Sequence, residues 1–118
     1  MSELLTRARQ QLASEAPHSV RRACWLARAA LEQQVLDLLK ARGIDADRCS
    51  ERARLTCLEG AYVDQRDLTA SATYAWSRLS EACHQHAYEL APTHHEASLL
   101  VDLVASLELK DVPQQAQP

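Results

Sequence analysis

The strongest constraint on the fold comes from residues 20–43, where apolar residues recur at steps of three and four for about six helical turns. This spacing places them along one side of an α-helix, and that side must be buried against other elements. We expect Ser19 to cap the helix and Gly43 to follow its C-cap in a left-handed conformation. The predicted buried stripe consists of Val20, Cys24, Ala27, Leu31, Val35, Leu38 and Leu39.

The rest of the chain also has the composition of a helical protein. Its 118 residues include two glycines, four prolines and no phenylalanine, so the residues that form tight hairpin turns are scarce. Apolar periodicity predicts four more helices, and Thr93 with Glu96 has the spacing of a capping box at the start of the last one. The four helices are predicted at about 2–14, about 47–61, from Asp64 or Asp67 to about 89, and about 94–109.

We therefore predict an all-α protein whose amphipathic helices form an up-and-down four-helix bundle with one accessory helix. A chain of 118 residues has the size of one domain. We assign residues 1–110 to the bundle. Residues 111–118 lack apolar periodicity and are predicted to be a loose tail.

Charge and hydropathy limit the classes of partner. The formal net charge of −3 does not indicate a general polyanion binder, although residues 1–54 hold ten of the thirteen lysines and arginines. The N-terminal residues are charged and amphipathic, unlike a secretory signal, and no stretch has the length and hydropathy of a membrane span. We therefore expect a cytoplasmic protein without a membrane partner.

The four cysteines are too widely spaced for a CxxC zinc knuckle, and each lies beside apolar neighbours in a helical pattern. In such a setting cysteine behaves as a small hydrophobic residue. We expect reduced thiols in the core at Cys24, Cys49, Cys57 and Cys83.

Residues 74–96 combine an aromatic anchor with most of the histidines of the chain. Trp76 begins an apolar stripe in the predicted fourth helix, so we expect its side chain in the core. The stripe continues through Leu79, Cys83, Ala87 and Leu90. Tyr74 and Tyr88 are also expected to act as core or dimer anchors rather than to stack on nucleic-acid bases.

The histidines do not have the arrangement of a metal site. Zinc needs three or four ligands that converge tetrahedrally, whereas close neighbours on a helix point apart. His84 and His86 do not share a helix face, and His94 and His95 fall in the first turn of the last helix. The two glycines are isolated, so no loop could cradle a nucleotide phosphate. We predict no metal and no cofactor.

An arginine and a histidine in the predicted fourth helix, Arg78 and His84, are separated by five residues. This spacing is similar to that of HEPN ribonucleases (higher eukaryotes and prokaryotes nucleotide-binding domains), in which an Arg, a spacer of four to six residues and a His occur late in a helical bundle. The predicted second helix, ACWLARAALEQQVLDLLKARG, also resembles the long helix of that family. The two segments occur in the family's order and at roughly its separation.

The resemblance implies a four-helix core and a homodimer in which the Arg-His segments of two chains face each other. It also implies metal-independent cleavage of RNA, in a toxin of a toxin-antitoxin pair or in phage defence, with an antitoxin or another protein as partner. In that chemistry His84 would transfer the proton of a ribose 2′-hydroxyl or of the leaving oxygen. Arg78 would hold the phosphate and stabilise its developing charge.

A second alignment to the family stays open. Some members end the motif in His, any residue, Tyr, and His86 with Tyr88 has that pattern. His86 would then be the motif histidine and Tyr88 a modification site. Glu81 stands where those members have arginine, and Leu79 follows Arg78 where the family commonly has a polar residue.

Other functions are compatible with the same residues. Arg78 could be a surface arginine paired with Glu81, three residues further along the helix. The chain would then be a catalytically inactive HEPN-like bundle that binds or assembles a protein partner, or a helical bundle unrelated to that family. A shared polar cleft containing Arg78 and His84 or His86 would favour the enzyme.

Overall fold

The computed structural model of the protein describes residues 2–84 and 92–108. Its five helices are α1 (Glu3–Ala13), α2 (Ser19–Ala41), α3 (Glu51–Ala61), α4 (Arg66–Cys83) and α5 (His94–Ser106). No β-strand occurs in these two ranges. The prediction of an all-α bundle with an accessory helix is therefore confirmed.

Helix α2 lies at the centre of the bundle, where it contacts each of the other four helices. The outer helices also pack in sequence against one another, α1 on α5, α5 on α4 and α4 on α3, so they form a layer around α2. Six of the seven residues of the predicted stripe of α2 are buried, and Val20 is half-buried. The α2 periodicity therefore predicts its core-facing side correctly.

The ends of α2 show one wrong prediction and one that is confirmed. Ser19 is not the cap: the chain turns at His18, whose φ of 65° is left-handed, and Ser19 is the first helical residue. The Ser19 hydroxyl donates instead to the carbonyl of Ser14 at 3.2 Å. Gly43 has the expected left-handed φ of 78°. Its N–H donates to Lys40 O at 2.9 Å and that of Ile44 to Leu39 O at 2.9 Å, the two bonds of a Schellman motif.

Side-chain caps fix the starts of three other helices. The Ser2 hydroxyl accepts the N–H of Leu5, as predicted for α1. Thr93 and Glu96 form the predicted capping box, with both reciprocal bonds at 3.0 Å. Helix α3 starts later than residue 47 because the Ser50 hydroxyl accepts the N–H of Ala53.

The core-facing side of α4 matches the predicted stripe at Leu79 and differs from it elsewhere. The buried residues are Thr69, Ala72, Ala75, Leu79 and Ala82, and Trp76 is only half-buried beside them. The buried positions of α4 are mostly small residues, and α4 packs on α2, whose buried positions include three alanines. Trp76 lies at the edge of the core and packs against it, so the prediction that it is a core residue holds only in part.

Helix α4 also ends earlier than predicted. Cys83 is its last residue and His84 is its C-cap, so the expected unbroken helix to residue 89 is wrong at His84. The later part of that prediction, including His86, Ala87, Tyr88 and Leu90, lies outside the described residues.

The cysteine prediction holds only in part. All four thiols are free, and Cys24 is fully buried, whereas Cys83 is half-buried. Cys49 and Cys57 are exposed, so they are not core residues. The reason is that Cys49 precedes α3, and α3 buries only Leu55 and Leu58.

A hydrogen-bonded junction joins the end of α2 to the end of α3. The buried Tyr62 hydroxyl donates to Leu38 O at 2.6 Å, and the Arg42 guanidinium lies 3.9 Å from the centre of the Tyr62 ring. Arg42 also donates to Ala61 O at 2.6 Å. This junction fixes α3 against the C-terminal end of the central helix.

Helix α5 ends at Ser106 rather than near residue 109, and Leu107 is its C-cap. Its buried residues match the predicted stripe at Ala97, Leu100, Val101 and Val104. The predicted tail, residues 111–118, lies outside the described residues. Across the described ranges, none of the helices has the length and hydropathy needed to cross a lipid bilayer.

Candidate functional site

The predicted pair Arg78 and His84 faces two different neighbours. Arg78 is exposed on α4, donates to Glu81 Oε1 at 3.2 Å, and has its other terminal nitrogen 4.0 Å from Glu96 Oε2 of α5. At the end of α4, His84 Nε2 lies 3.4 Å from Arg28 Nη1 of α2. One chain therefore gives these two residues separate partners. Their joint role stays a prediction for a dimer.

Of the other three predicted site residues, the structure describes Glu81 but not His86 or Tyr88. Glu81 is exposed and forms the expected pair with Arg78, three residues earlier on the same helix. Such exposed pairs contribute little to stability, typically about 0–1 kcal/mol. His86 and Tyr88 lie outside the described residues, so the second alignment to the family stays a prediction.

Arg28 is the centre of a polar cluster that the sequence prediction missed. Its guanidinium donates to Glu32 Oε2 at 3.2 Å and lies 5.9 Å from the centre of the Trp76 ring. It also contacts His84 and hydrogen-bonds to Cys83. We call these five residues, Arg28, Glu32, Trp76, Cys83 and His84, the Arg28 cluster.

The contact between Arg28 and His84 constrains the imidazole. A guanidinium can only donate hydrogen bonds, so in a hydrogen bond at this contact Nε2 of His84 is the acceptor. His84 itself is exposed. The arrangement therefore places an imidazole nitrogen beside a permanently charged guanidinium at the surface.

Cys83 is less suited to chemistry than its neighbour. Burial raises the pKa of the Cys83 thiol, and the hydrogen bond and charge of Arg28 oppose that effect without reversing it. A thiol must lose its proton to become a nucleophile. We therefore assign Cys83 a packing role beside the site.

A buried carboxyl group lies on the α3 side of the cluster. The Glu51 side chain is 8% exposed, and its Oε1 accepts from Arg54 Nη1 at 3.3 Å. Burial raises the pKa of Glu51 to about 7, and the negative charge of Glu32 adds to this, while Arg54 and Arg28 lower it. The electrostatic effects of Glu32 and Arg28 on Glu51 link it to the Arg28 cluster.

Three buried polar atoms at this side of the bundle have no hydrogen-bond partner among the described residues. They are Glu51 Oε2, Trp76 Nε1 and Ser80 Oγ. Trp76 and Ser80 are one turn apart on α4, so they share a helix face. Buried polar atoms are nearly always bonded in native proteins, so these three have unmet hydrogen-bonding capacity inside the bundle.

The sequence contains part of the signal for these residues. Arg28 and Glu32 have the i, i+4 spacing of a helix ion pair, and Glu51 and Arg54 have the i, i+3 spacing. What the sequence does not contain is the contact between Arg28 and His84, which are 56 positions apart. That contact depends on how α4 packs on α2.

The histidines of α5 contact other parts of the structure than the Arg28 cluster. His94 Nε2 is 2.7 Å from Leu12 O of α1, and His95 is exposed. Within residues 2–84 and 92–108, no three His, Cys, Asp or Glu side chains are close enough together to hold a metal ion.

Comparison with known proteins finds no protein similar to this chain. No protein-family model, curated protein or solved structure matches the chain significantly.

Proposed function

We propose that this chain is a HEPN-like RNA endonuclease of a toxin-antitoxin or phage-defence system, which cuts RNA in the cytoplasm without a metal ion. The observation that supports this most directly is the contact between His84 Nε2 and Arg28 Nη1 at 3.4 Å on an exposed surface. Cleavage of RNA next to a ribose 2′-hydroxyl needs a proton acceptor and a cation for the phosphate. His84 and Arg28 are a pair of that kind within one chain.

The chemistry assigns one step to each residue. Arg28 first releases Nε2 of His84, which then accepts the proton of the 2′-hydroxyl while the 2′-oxygen attacks the adjacent phosphorus. The bond from phosphorus to the 5′-oxygen breaks, a cyclic 2′,3′-phosphate forms, and water protonates the leaving oxygen. Arg28 stabilises the negative charge that develops on the phosphate oxygens. Here Arg28 takes the role that the family resemblance gives to Arg78.

Arg28 must turn its guanidinium from His84, and in part from Glu32, towards the phosphate. The side chains of Arg28 and Glu32 are 26% and 35% exposed. Ion pairs at such partly solvated positions are worth about 1 kcal/mol or less, so the change costs little. A guanidinium also has five donors, so contacts to both groups can coexist.

The test is incubation of the purified protein with tRNA and mRNA in excess chelator. We expect the wild type to cut, and His84→Ala and Arg28→Ala each to lose at least about 100-fold in rate, the usual cost of losing a proton-transfer or charge-stabilising group. Arg78→Ala is the matched control, because Arg78 is an exposed arginine paired with carboxylates on the same helix as His84.

Each result assigns the residues differently. Full activity of His84→Ala would remove His84 from the mechanism. Loss of activity in Arg78→Ala but not in Arg28→Ala would restore the original Arg78–His84 assignment, with the two groups supplied by different chains of a homodimer. Circular dichroism must show the same helical signal for every variant, so that a loss of rate is not a loss of folding.

A second candidate function is a catalytically inactive HEPN-like module that binds a second copy or another protein, such as an antitoxin. The observation that favours it is that Arg78 is already held by Glu81 and Glu96. Arg78 would then link α4 to α5 and serve the fold alone. Absence of cleavage by the wild type, together with a stable dimer in sedimentation, would favour this module over the enzyme.

A further inference from the structure

An aromatic side chain and two arginines share one face of the central helix. Arg21, Trp25 and Arg28 are spaced by four and three residues along α2, so they lie on one stripe over two turns. Trp25 is 59% exposed, which is unusual for so large an apolar side chain. A flat indole that stays in solvent between two cations is a surface on which another planar group can stack.

The positive charge of this face is not fully neutralised within the described structure. Arg22, next to the stripe, donates to Gln11 Oε1 at 3.2 Å and to Pro17 O at 3.1 Å, and both acceptors are neutral. Among the described residues, Arg21 and Arg22 have no carboxylate partner, and the first turn of α2 contains no acidic residue. The face therefore attracts anions at the N-terminal half of α2.

This face is continuous with the candidate site. Arg21 lies two turns before Arg28 on the same stripe of α2, and its charge acts to lower the pKa of the Cys83 thiol at the end of α4. Arg28 contacts His84, the next residue of that end. The same stripe of α2 therefore leads from Arg21, past the exposed indole of Trp25, to Arg28, which with His84 is the pair assigned to phosphate and proton transfer.

We propose that this face, formed by Arg21, Arg22, Trp25 and Arg28 and leading to the cleavage residue His84, binds single-stranded RNA. One base stacks on Trp25 while Arg21 and Arg22 contact backbone phosphates, and the strand continues to Arg28 and His84. Stacking and phosphate contacts are together the usual means of binding single strands with little sequence preference. The position of the cut rests on the proposed ribonuclease function, whereas the binding itself does not.

The charges favour RNA over a second copy of the chain on this face. A two-fold contact would bring two copies of the same positively charged patch together, and like charges oppose such an interface. RNA instead supplies a phosphate for each cation. The unpaired bases of a single strand also have free faces for stacking, which a duplex does not offer.

The test measures binding of a fluorescein-labelled 12-nucleotide oligouridine by anisotropy, with every protein carrying His84→Ala so that the strand stays intact. We expect Trp25→Ala to raise the Kd by about 5-fold to 100-fold, the range for loss of one stacked base, and Trp25→Phe to recover most of it. Arg21→Ala should reduce the slope of log K against log salt by about 0.7, the value for one phosphate contact in a single strand.

Tyr74→Ala is the matched control, because Tyr74 is 57% exposed on α4, two residues from Trp76 and hence on the opposite side of that helix. Its Kd should stay within about twofold of the parent. A Kd unchanged by Trp25→Ala would overturn the RNA-binding face even if the wild type cuts RNA.

Two further outcomes separate this face from the proposed function. RNA binding that depends on Trp25, without cleavage by the wild type, would support the RNA-binding face and contradict the proposed ribonuclease activity. If Trp25→Ala instead dissociates a dimer in sedimentation and leaves RNA affinity unchanged, the face is a contact between copies and the RNA assignment is wrong.

Discussion

The buried carboxyl group of Glu51 should make the stability of the protein depend on pH near neutrality. Burial raises its pKa from the ordinary value of 4.5 to about 7, so the folded protein binds this proton more tightly than the unfolded chain does. Between about pH 4.5 and 7 the folded state therefore carries more protons, and the free energy of unfolding falls as pH rises. Above about pH 7 this contribution of Glu51 to the free energy of unfolding is completely lost, on the order of 1–3 kcal/mol.

Glu51→Gln should remove this dependence, because an amide does not titrate. We expect urea unfolding at pH 8 to show a variant more stable than the wild type, and at pH 4.5 a much smaller difference. Glu59→Gln, at an exposed position of the same helix, is the control. A wild type whose stability rises between pH 5 and 7, relative to Glu51→Gln, would contradict the raised pKa.

At the scale of the single residue, the sequence predicts charges and spacings but not their surroundings. The Arg78–Glu81 and Arg28–Glu32 pairs are visible from helix spacing alone. The burial of Glu51 is not, because it depends on α3 starting at Ser50 and packing against α2. The environment that makes a residue chemically useful is thus set by packing between elements.

At the scale of the element, the end of α2 depends on the left-handed backbone of Gly43. Nothing lies within 4 Å of a Cβ atom built on this residue, so a larger side chain here would clash with no other residue. The cost of a substitution comes from the left-handed backbone conformation alone. With φ at 78°, Gly43→Ala should lower the free energy of unfolding by about 1 kcal/mol, as chemical denaturation would measure.

Gly60→Ala provides a control with the opposite sign. Gly60 lies in α3, has no positive φ, and likewise has open space around an added Cβ atom. Alanine favours a helix over glycine by about 0.8–1.0 kcal/mol, so this variant should be more stable than the wild type. Equal effects of the two substitutions would contradict the Schellman assignment at Gly43.

The elements that the sequence predicts best are those with a strong local signal. The stripe of α2 and the capping box of α5 follow from spacing and local hydrogen bonds, and both are confirmed. In α4 the large Trp76 suggests a stripe centred on it, but the fully buried positions near it are Ala72 and Ala75, and Trp76 packs against the core at its edge. Periodicity shows that a helix is amphipathic, whereas close packing decides which neighbouring stripe faces inward.

At the scale of the whole molecule, stability should be distributed unequally among the helices. Helix α2 contacts four helices, whereas α3 contacts only α2 and α4 among the five. We expect the amides around Leu31 and Val35 to exchange with deuterium only by global unfolding, and those of α3 to exchange through partial opening at lower free energy. Native-state hydrogen exchange followed by mass spectrometry measures both.

The dependence of hydrogen exchange on denaturant concentration tests this ranking of the helices. Exchange in the middle of α2 should have the full denaturant slope of global unfolding, and exchange in α3 a smaller one. Faster exchange in α2 than in α3 would contradict a central role for α2. The hydrogen-bonded junction at Tyr62 and Arg42 limits how far α3 can move away from α2, because it links α3 to the end of α2.

The central position of α2 also has a consequence for the kinetics of recognition. Arg21, Trp25 and Arg28 project from the helix that contacts each of the other four helices. Within the described residues a strand therefore meets a preformed helical surface, so most of the ordering cost falls on the RNA itself. We therefore expect stopped-flow association traces with a single phase whose rate rises linearly with RNA concentration, without the plateau that a slow rearrangement of the protein would impose.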